Sequence, residues 1–137
     1  MSHELVETVI KDRLGGLWFT TWNGVSFLAP DSERFVSYLL PTGDWGGWNN
    51  FHAACQDHQG VFWFGSEKGI ARYDGASWTY GIGQTYQPLT WAVRAIAEDR
   101  DGNLWFGTDG GICRLDRSRT HWTDLTDSLQ AQTVFSP

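Results

Sequence analysis

One aromatic motif occurs three times in this chain, and that repetition restricts the possible folds more than any other feature. The motif begins with Asp-x-x-Gly, continues into a Trp-Phe pair and ends with a Gly six residues past the Trp. Trp18, Trp63 and Trp105 mark the three copies, with steps of 45 and 42 residues between them. Repeats of this kind bury their apolar faces only against their neighbours, so the chain should be an array of stacked units.

Each copy is predicted to form four short antiparallel β-strands, which we call A to D. The segments between the Gly, Asp, Asn and Pro residues are rich in aromatic and β-branched residues, and none keeps a helical apolar period over about ten residues. We therefore expect an all-β chain with essentially no helix. Strand A is predicted at Val6–Lys11, Phe51–Gln56 and Val93–Glu98.

A repeat of this length is typical of the four-stranded blade of a β-propeller. We therefore predict three such blades, at about residues 5–48, 49–90 and 91–126, followed by a C-terminal tail at residues 127–137. The Asp-x-x-Gly element should be the A–B turn, because Asp bonds its own backbone there and Gly accepts positive φ. One ring of each Trp-Phe pair should face the blade on either side, which makes the three Trp residues core.

These motifs resemble the two-component regulator propeller repeat. Residues 95–116, AIAEDRDGNLWFGTDGGICRLD, are similar to that family's consensus over nearly the full repeat. Residues 57–74 form a second copy, and residues 12–28 a third that departs from the pattern with Thr20 in place of Gly. The family's members resemble periplasmic or extracellular sensor domains fused to a membrane span and a histidine kinase. The resemblance therefore implies a propeller with a ligand-recognition role, without kinase signalling by this chain.

The composition excludes several kinds of partner. A formal net charge of −6 and a pI of about 5.0 offer no basic face to nucleic acid or to an anionic membrane. No apolar run approaches the roughly 20 residues of a membrane helix, and the N-terminus lacks the basic and apolar regions of a signal peptide. We therefore expect a soluble chain without nucleic-acid or membrane partners, in a compartment that the sequence leaves open.

No motif indicates a catalytic centre or a cofactor. The sequence contains no GxSxG elbow, no HExxH pair and no Gly-rich phosphate loop. The acidic turn at residues 99–103 resembles part of a calcium loop but lacks the distal Glu. We predict no metal, no cofactor and no catalytic residue.

Three blades leave an arc with two uncovered faces, because propeller rings hold about four to eight blades. We expect the chain to associate with itself, and a homodimer with six blades is favoured over a homotrimer with nine. The alternative is a fragment of a longer propeller, since residues 132–135 resemble the opening of a further strand A.

The candidate ligand site lies where the D–A and B–C connections emerge on one face of a propeller. Residues at this face differ between copies while the Trp-Phe core stays constant, which is typical of a site grafted on a scaffold. Indoles beside carboxylates and Arg suit a carbohydrate or another polar small ligand. The predicted ligand-binding residues are Trp22, Glu67 and Asp109 in the B–C turns, Trp48 and Trp91 in the D–A connections, and Glu7, His52 and Arg94 near the start of strand A.

Three functions remain open from the sequence. The first is a sensor or lectin-like ligand-binding module, and the second is a protein-interaction scaffold. The third, less favoured, is a propeller lyase or hydrolase in which His52 and Glu7 form an acid–base pair. The same polar residues would also fit a solvated channel lining, and Trp48 and Trp91 would also fit loop packing.

Overall fold

The computed structural model describes residues 5–38, 50–83 and 87–130, and these residues form three four-stranded antiparallel sheets. In each sheet the strands follow one another in chain order. This architecture confirms the predicted all-β propeller blades. The predicted boundaries of the blades and of the tail stay a prediction.

The strands have the following bounds. Blade one contains β1 (Val6–Lys11), β2 (Leu17–Thr21), β3 (Gly24–Leu28) and β4 (Phe35–Tyr38). Blade two contains β5 (Phe51–Gln56), β6 (Phe62–Ser66), β7 (Gly69–Tyr73) and β8 (Trp78–Ile82). Blade three contains β9 (Val93–Glu98), β10 (Leu104–Thr108), β11 (Gly111–Leu115) and β12 (Trp122–Asp124).

Two short helical segments accompany the strands of this all-β fold. A 3-10 turn spans Gln87–Thr90, and helix α1 spans Thr126–Gln130. Both are too short to produce a helical period in the sequence. Local hydrogen bonds fix the start of α1, because Asp124 Oδ1 accepts the Thr126 amide at 2.9 Å and the Thr126 hydroxyl contacts the backbone of Ile112.

Each A–B turn is closed by its Asp, as the repeat predicts. In blade two, Asp57 Oδ1 accepts the amides of Gln59 and Val61 at 2.9 and 3.0 Å. Its second oxygen accepts the Trp63 indole N–H at 2.9 Å. The same indole–carboxylate bond joins Trp18 to Asp12 and Trp105 to Asp99. The Asp therefore fastens both the turn and the core Trp of its blade.

The apolar core lies between the blades. Trp18 contacts Phe62 and Phe64 of blade two, with ring centroids 4.5 and 5.7 Å apart. On the other side of blade two, Trp63 meets Phe106 of blade three at 6.2 Å. The prediction that the Trp-Phe pair fills both faces of a blade is therefore confirmed for blade two.

Trp105 departs from this pattern. Trp18 and Trp63 are each only 3% exposed, whereas Trp105 is half-buried. The reason is its position on the outer face of blade three: its neighbour Phe106 packs on Trp63 of blade two, so Trp105 lies on the opposite face of the sheet.

A polar network also joins blades two and three. Arg119, in the C–D turn of blade three, donates to Asp57 Oδ2 at 3.2 Å and to Glu98 Oε2 at 3.1 Å. His58 Nδ1 lies 2.6 Å from the same Glu98 oxygen. Burial alone would raise the pKa of Asp57, but hydrogen bonds from the Trp63 indole, the Val61 amide and Arg119 outweigh burial and lower it.

Candidate functional site

The candidate site follows the starts of the three A strands. Because strands A and B run antiparallel, the first residues of strand A lie beside the B–C turn of their own blade. The backbone fixes this neighbourhood with the same hydrogen bond in each blade. The bonds run from Trp22 N to Leu5 O, from Glu67 N to Asn50 O and from Asp109 N to Ala92 O, at 3.3, 3.1 and 3.1 Å.

Glu7, His52 and Arg94 each occupy a break in the strand register. Val6 pairs with Thr21 and Thr8 with Thr20, so Glu7 has no opposite residue. The register skips His52 and Arg94 in the same way in blades two and three. A β-bulge bends its strand and redirects a side chain, and bulges are common beside functional sites.

Each bulged residue pairs with the B–C turn of its own blade. Glu7 Oε1 accepts the Trp22 indole N–H at 3.2 Å. His52 Nε2 lies 2.7 Å from Glu67 Oε1. Arg94 and Asp109 form a two-point ion pair, with both contacts at 3.1 Å. One backbone geometry thus carries three chemically different pairs.

Contacts between blades link these pairs into a row. His52 Nδ1 lies 3.6 Å from Glu7 Oε1 of blade one. On its other side, His52 Nε2 lies 3.5 Å from Arg94 Nη1 of blade three. The structure therefore brings six of the eight residues predicted from the sequence into one continuous polar row: Trp22, Glu7, His52, Glu67, Arg94 and Asp109.

His52 is the buried centre of this row. Its side chain is 5% exposed, whereas those of Glu7 and Glu67 are 30% and 31% exposed. His52 Nδ1 is buried and has no hydrogen-bond partner among the described residues. His52 is thus placed to hold Glu67 in position through Nε2, while both carboxylates reach solvent.

The two remaining predicted residues have different outcomes. Trp91 is 52% exposed, and its ring covers the B–C turn of blade three, where a methyl group added to Gly110 would lie 2.2 Å from Cδ1 of Trp91. Trp91 therefore lies beside Asp109 at the end of the row, on its own blade. Trp48 lies outside the described residues.

The row carries excess negative charge. Three carboxylates face one guanidinium, and Asp109 already engages that guanidinium at two points. The hydrogen bond from Arg94 lowers the pKa of Asp109, and the same bond raises the pKa of Arg94. Glu7 and Glu67 each use one oxygen in these contacts, and their second oxygens have no hydrogen-bond partner within residues 5–38, 50–83 and 87–130.

No three or more His, Cys, Asp or Glu side chains in the described part of the chain are grouped to hold a metal ion. No described helix has the length and apolar character to cross a membrane.

The fold and the repeats define a three-bladed segment of a β-propeller. The family model described as two component regulator propeller matches residues 46–68 and 90–110. These two segments are therefore similar to two-component regulator propeller repeats, as the motifs indicated. In blade three the matched segment contains strand A, the A–B turn, the Trp-Phe pair and part of the B–C turn.

Solved structures of similar fold include extracellular domains from B. thetaiotaomicron. The domain of the hybrid two component system BT3049 matches with a TM-score of 0.70 and 18% identity, over 88% of this chain and 17% of that one. The domain of the hybrid two component system BT4673 matches with a TM-score of 0.72 and 18% identity, over 94% and 17%. The chain thus spans about a sixth of the length of these proteins, and the likeness shows the fold.

Lyases also share the fold. Virginiamycin B lyase from Staphylococcus aureus matches with a TM-score of 0.62 and 19% identity, over 88% of this chain and 41% of that chain. A search of curated proteins found no match to this sequence. The likeness to the sensor domains and to the lyase alike shows the propeller fold.

Sequence reasoning missed the bulges and the hydrogen bonds within the row. One signal was available, because the second residue of strand A is the position where the three copies differ in charge. In this structure that position is the one at which a bulge redirects the side chain in each blade.

Proposed function

We propose that this chain is a ligand-binding propeller module of the sensor type. Its site would be the row that runs from Trp22 through His52 to Asp109 and Trp91. The observation that supports this proposal most strongly is the constant bulge-and-turn geometry, which presents a different polar pair in each blade. A row used only to join the blades would need no exposed indoles at its two ends.

The chemistry of the row favours a neutral, polyhydroxylated ligand such as an oligosaccharide. Trp22 and Trp91 are 56% and 52% exposed, and exposed indole faces pack against the apolar faces of sugar rings. The available oxygens of Glu7 and Glu67 are acceptors, so they suit a ligand that donates hydroxyl hydrogens. The excess negative charge disfavours uronic or sulfated sugars.

Calorimetric titration with neutral oligosaccharides tests this proposal. Trp22→Ala and Trp91→Ala should each weaken binding about tenfold, because each removes an aromatic platform of the order of 1.4 kcal/mol. The melting temperature should stay nearly constant, since both rings are about half exposed. Glu67→Gln should also weaken binding, because an amide is a poorer acceptor than a carboxylate.

Leu14→Ala is the matched control. Leu14 is 87% exposed and lies in the A–B turn at the opposite end of blade one. If Leu14→Ala weakened binding as much as Trp22→Ala, or if anionic glycans bound as tightly as neutral ones, the proposed site would be wrong. If Trp22→Ala and Trp91→Ala also lowered the melting temperature strongly, the two rings would be packing residues and not ligand contacts.

A catalytic use of His52 has less support from the same geometry. A general base must come within hydrogen-bond reach of the proton it removes, and the His52 side chain is 5% exposed beneath Glu67. We therefore propose binding, and His52 as the residue that positions Glu67.

We also propose that the three-bladed arc is completed by another copy of the chain. Large apolar side chains are exposed on the outer face of blade one, including Val6, Val9 and Phe35 at 49%, 51% and 55%. Contiguous apolar surface of this kind commonly marks an association site. A scaffold that binds another protein through the same surface is the alternative, and the mass of the complex distinguishes the two.

A further inference from the structure

The outer face of blade three repeats the face by which blade two receives its neighbour. Gly65 of blade two lies beneath Val93 of blade three, where an added methyl group would be 2.5 Å from Val93 Cγ1. Gly107 holds the same position in blade three, and a methyl group added there would meet only Ala95 Cβ at 3.7 Å among the described residues. Blade three therefore presents an open socket where blade two has a filled one.

The Trp next to each socket extends the correspondence. Arg72 lies over the Trp63 ring at 5.8 Å, and Arg114 lies over the Trp105 ring at 5.5 Å. Blade three covers Trp63 through Phe106, while Trp105 stays half-buried. Blade three thus has the same surface features as blade two, but no further blade covers them among the described residues.

Blade one carries the side chains that would fill this surface. Val6 pairs with Thr21 as Val93 pairs with Thr108, so the two Val residues hold the same place in their blades. Val93 is fully buried and Val6 is 49% exposed. Phe19 corresponds to Phe106 in the same way, because each follows the Trp of its strand B.

We propose that the outer face of blade three binds the outer face of blade one of a second copy. Val6 of that copy would sit on Gly107, and its Phe19 would contact Trp105. This inference rests on the proposed self-assembly and assigns its contact surface. The contact is head-to-tail, and two such contacts close two copies into a six-bladed ring, whereas a failure to close would give open filaments.

Two charged residues at the edge of this contact should weaken the association. The residue after each turn Asp reaches the last residue of the next strand A: the Arg13 amide donates to Gln56 at 3.0 Å, and His58 lies 2.6 Å from Glu98. In the proposed contact the corresponding residues are Arg100 and Lys11 of the second copy. Two like charges weaken the association at an exposed edge, but they leave the burial of Val6 and Phe19 intact.

Sedimentation velocity over a concentration series tests the contact. The unmodified chain should show a reversible two-chain species. Gly107→Leu should fill the socket and raise the dimer dissociation constant at least about tenfold, because an overfilled interface must shift. Val6→Asp should do the same, while Val36→Asp should not, since Val36 is 50% exposed on the other face of the sheet.

Charge reversal distinguishes this contact from any other. Lys11→Glu alone and Arg100→Glu alone should each lower the dissociation constant about two- to fivefold, because each replaces a repulsive pair with an attractive one. The double variant should lose that gain, since two carboxylates would then face each other.

The failure of the contact and the failure of self-assembly give different results. If the chain forms a dimer whose dissociation constant is unchanged by all these substitutions, the assigned surface is wrong and self-assembly is still supported. A folded chain with the mass of one copy at every concentration would overturn both.

Discussion

Asp57 combines three tasks in one buried carboxylate. It closes the A–B turn of blade two, accepts the indole N–H of Trp63 and pairs with Arg119 of blade three. Its side chain is 1% exposed, so each contact is made without competition from water. A buried carboxylate with this many donors is expensive to neutralise, because its partners would be left unsatisfied.

Replacement of Asp57 by Asn should therefore destabilise the chain strongly. The amide keeps one acceptor oxygen, but it loses the charge that Arg119 requires, and we expect a loss of about 2–3 kcal/mol in the free energy of unfolding. Urea denaturation followed by tryptophan fluorescence measures this loss. Asp74→Asn is the control, since Asp74 also closes a turn, through the Ala76 and Ser77 amides, but is exposed. Equal losses would show that the contact between blades adds nothing.

The sequence predicted part of this arrangement. Asp at a fixed offset before Gly indicates a turn, since both residue types have known roles there. The bond from Asp57 to the Trp63 indole was missed, although the constant Asp-to-Trp spacing in all three copies was visible. Arg119 was not predictable from local pattern, because its partners lie 21 and 62 residues away.

Among the elements, strand A shows how much of the structure the periodicity of the sequence can predict. Its three predicted ranges agree with β1, β5 and β9 residue for residue. Alternation and turn residues suffice to place strand ends, because they reflect the local backbone. The bulge inside each strand was not predicted, since a bulge is a property of the pairing between two strands.

The packing of strand A on the next blade gives a matched pair of glycines. Gly65→Ala should destabilise the chain by about 1–3 kcal/mol, because the new methyl group would meet Val93 and overfill the interface. Gly107→Ala should be neutral or slightly stabilising, since its methyl group has room and Ala suits a strand better than Gly.

Thermal unfolding at dilute concentration, where the chain is a single copy, measures both variants. A similar loss for Gly65→Ala and Gly107→Ala would mean that the two glycines have the same surroundings. The inference that Gly65 lies under a neighbouring blade and Gly107 does not would then be wrong.

For the whole molecule, the sequence predicted the architecture, and it named most of the residues that make up the proposed site. Three copies in register predicted the blades, and six of the predicted residues meet in one polar row. Positions that differ between copies over a constant core predicted the row, because the fold puts equivalent positions side by side. The linkage of the three pairs into one row depends on contacts of His52 with Glu7 and Arg94 of the neighbouring blades, which no single repeat encodes.

Acid should weaken the junction between blades two and three. The pKa of Asp57 lies below its ordinary value of 3.8. Burial alone would raise the pKa of Glu98, but hydrogen bonds from His58 and Arg119 outweigh it and keep the pKa below the ordinary 4.5. Carboxylates with lowered pKa stabilise the folded state above their unfolded pKa, and they lose that contribution as the pH falls through the folded pKa. The free energy of unfolding should therefore be level above about pH 5 and decline below pH 4.5.

The turn carboxylates extend this decline to lower pH. Hydrogen bonds, led by that from the Trp105 indole, lower the pKa of Asp99 to about 2, and the Thr120 amide is the main donor that lowers the pKa of Asp116 to about 2. Stability should thus continue to fall towards pH 2. Arg119→Leu should flatten the upper part of the curve, because Asp57 and Glu98 would both lose a donor, while Arg100→Leu, an exposed control, should leave the curve unchanged. Urea titrations from pH 7 to pH 2 give the dependence of the free energy of unfolding on pH directly. If that dependence were as steep in Arg119→Leu as in the unmodified chain, Arg119 would not be the link between the blades.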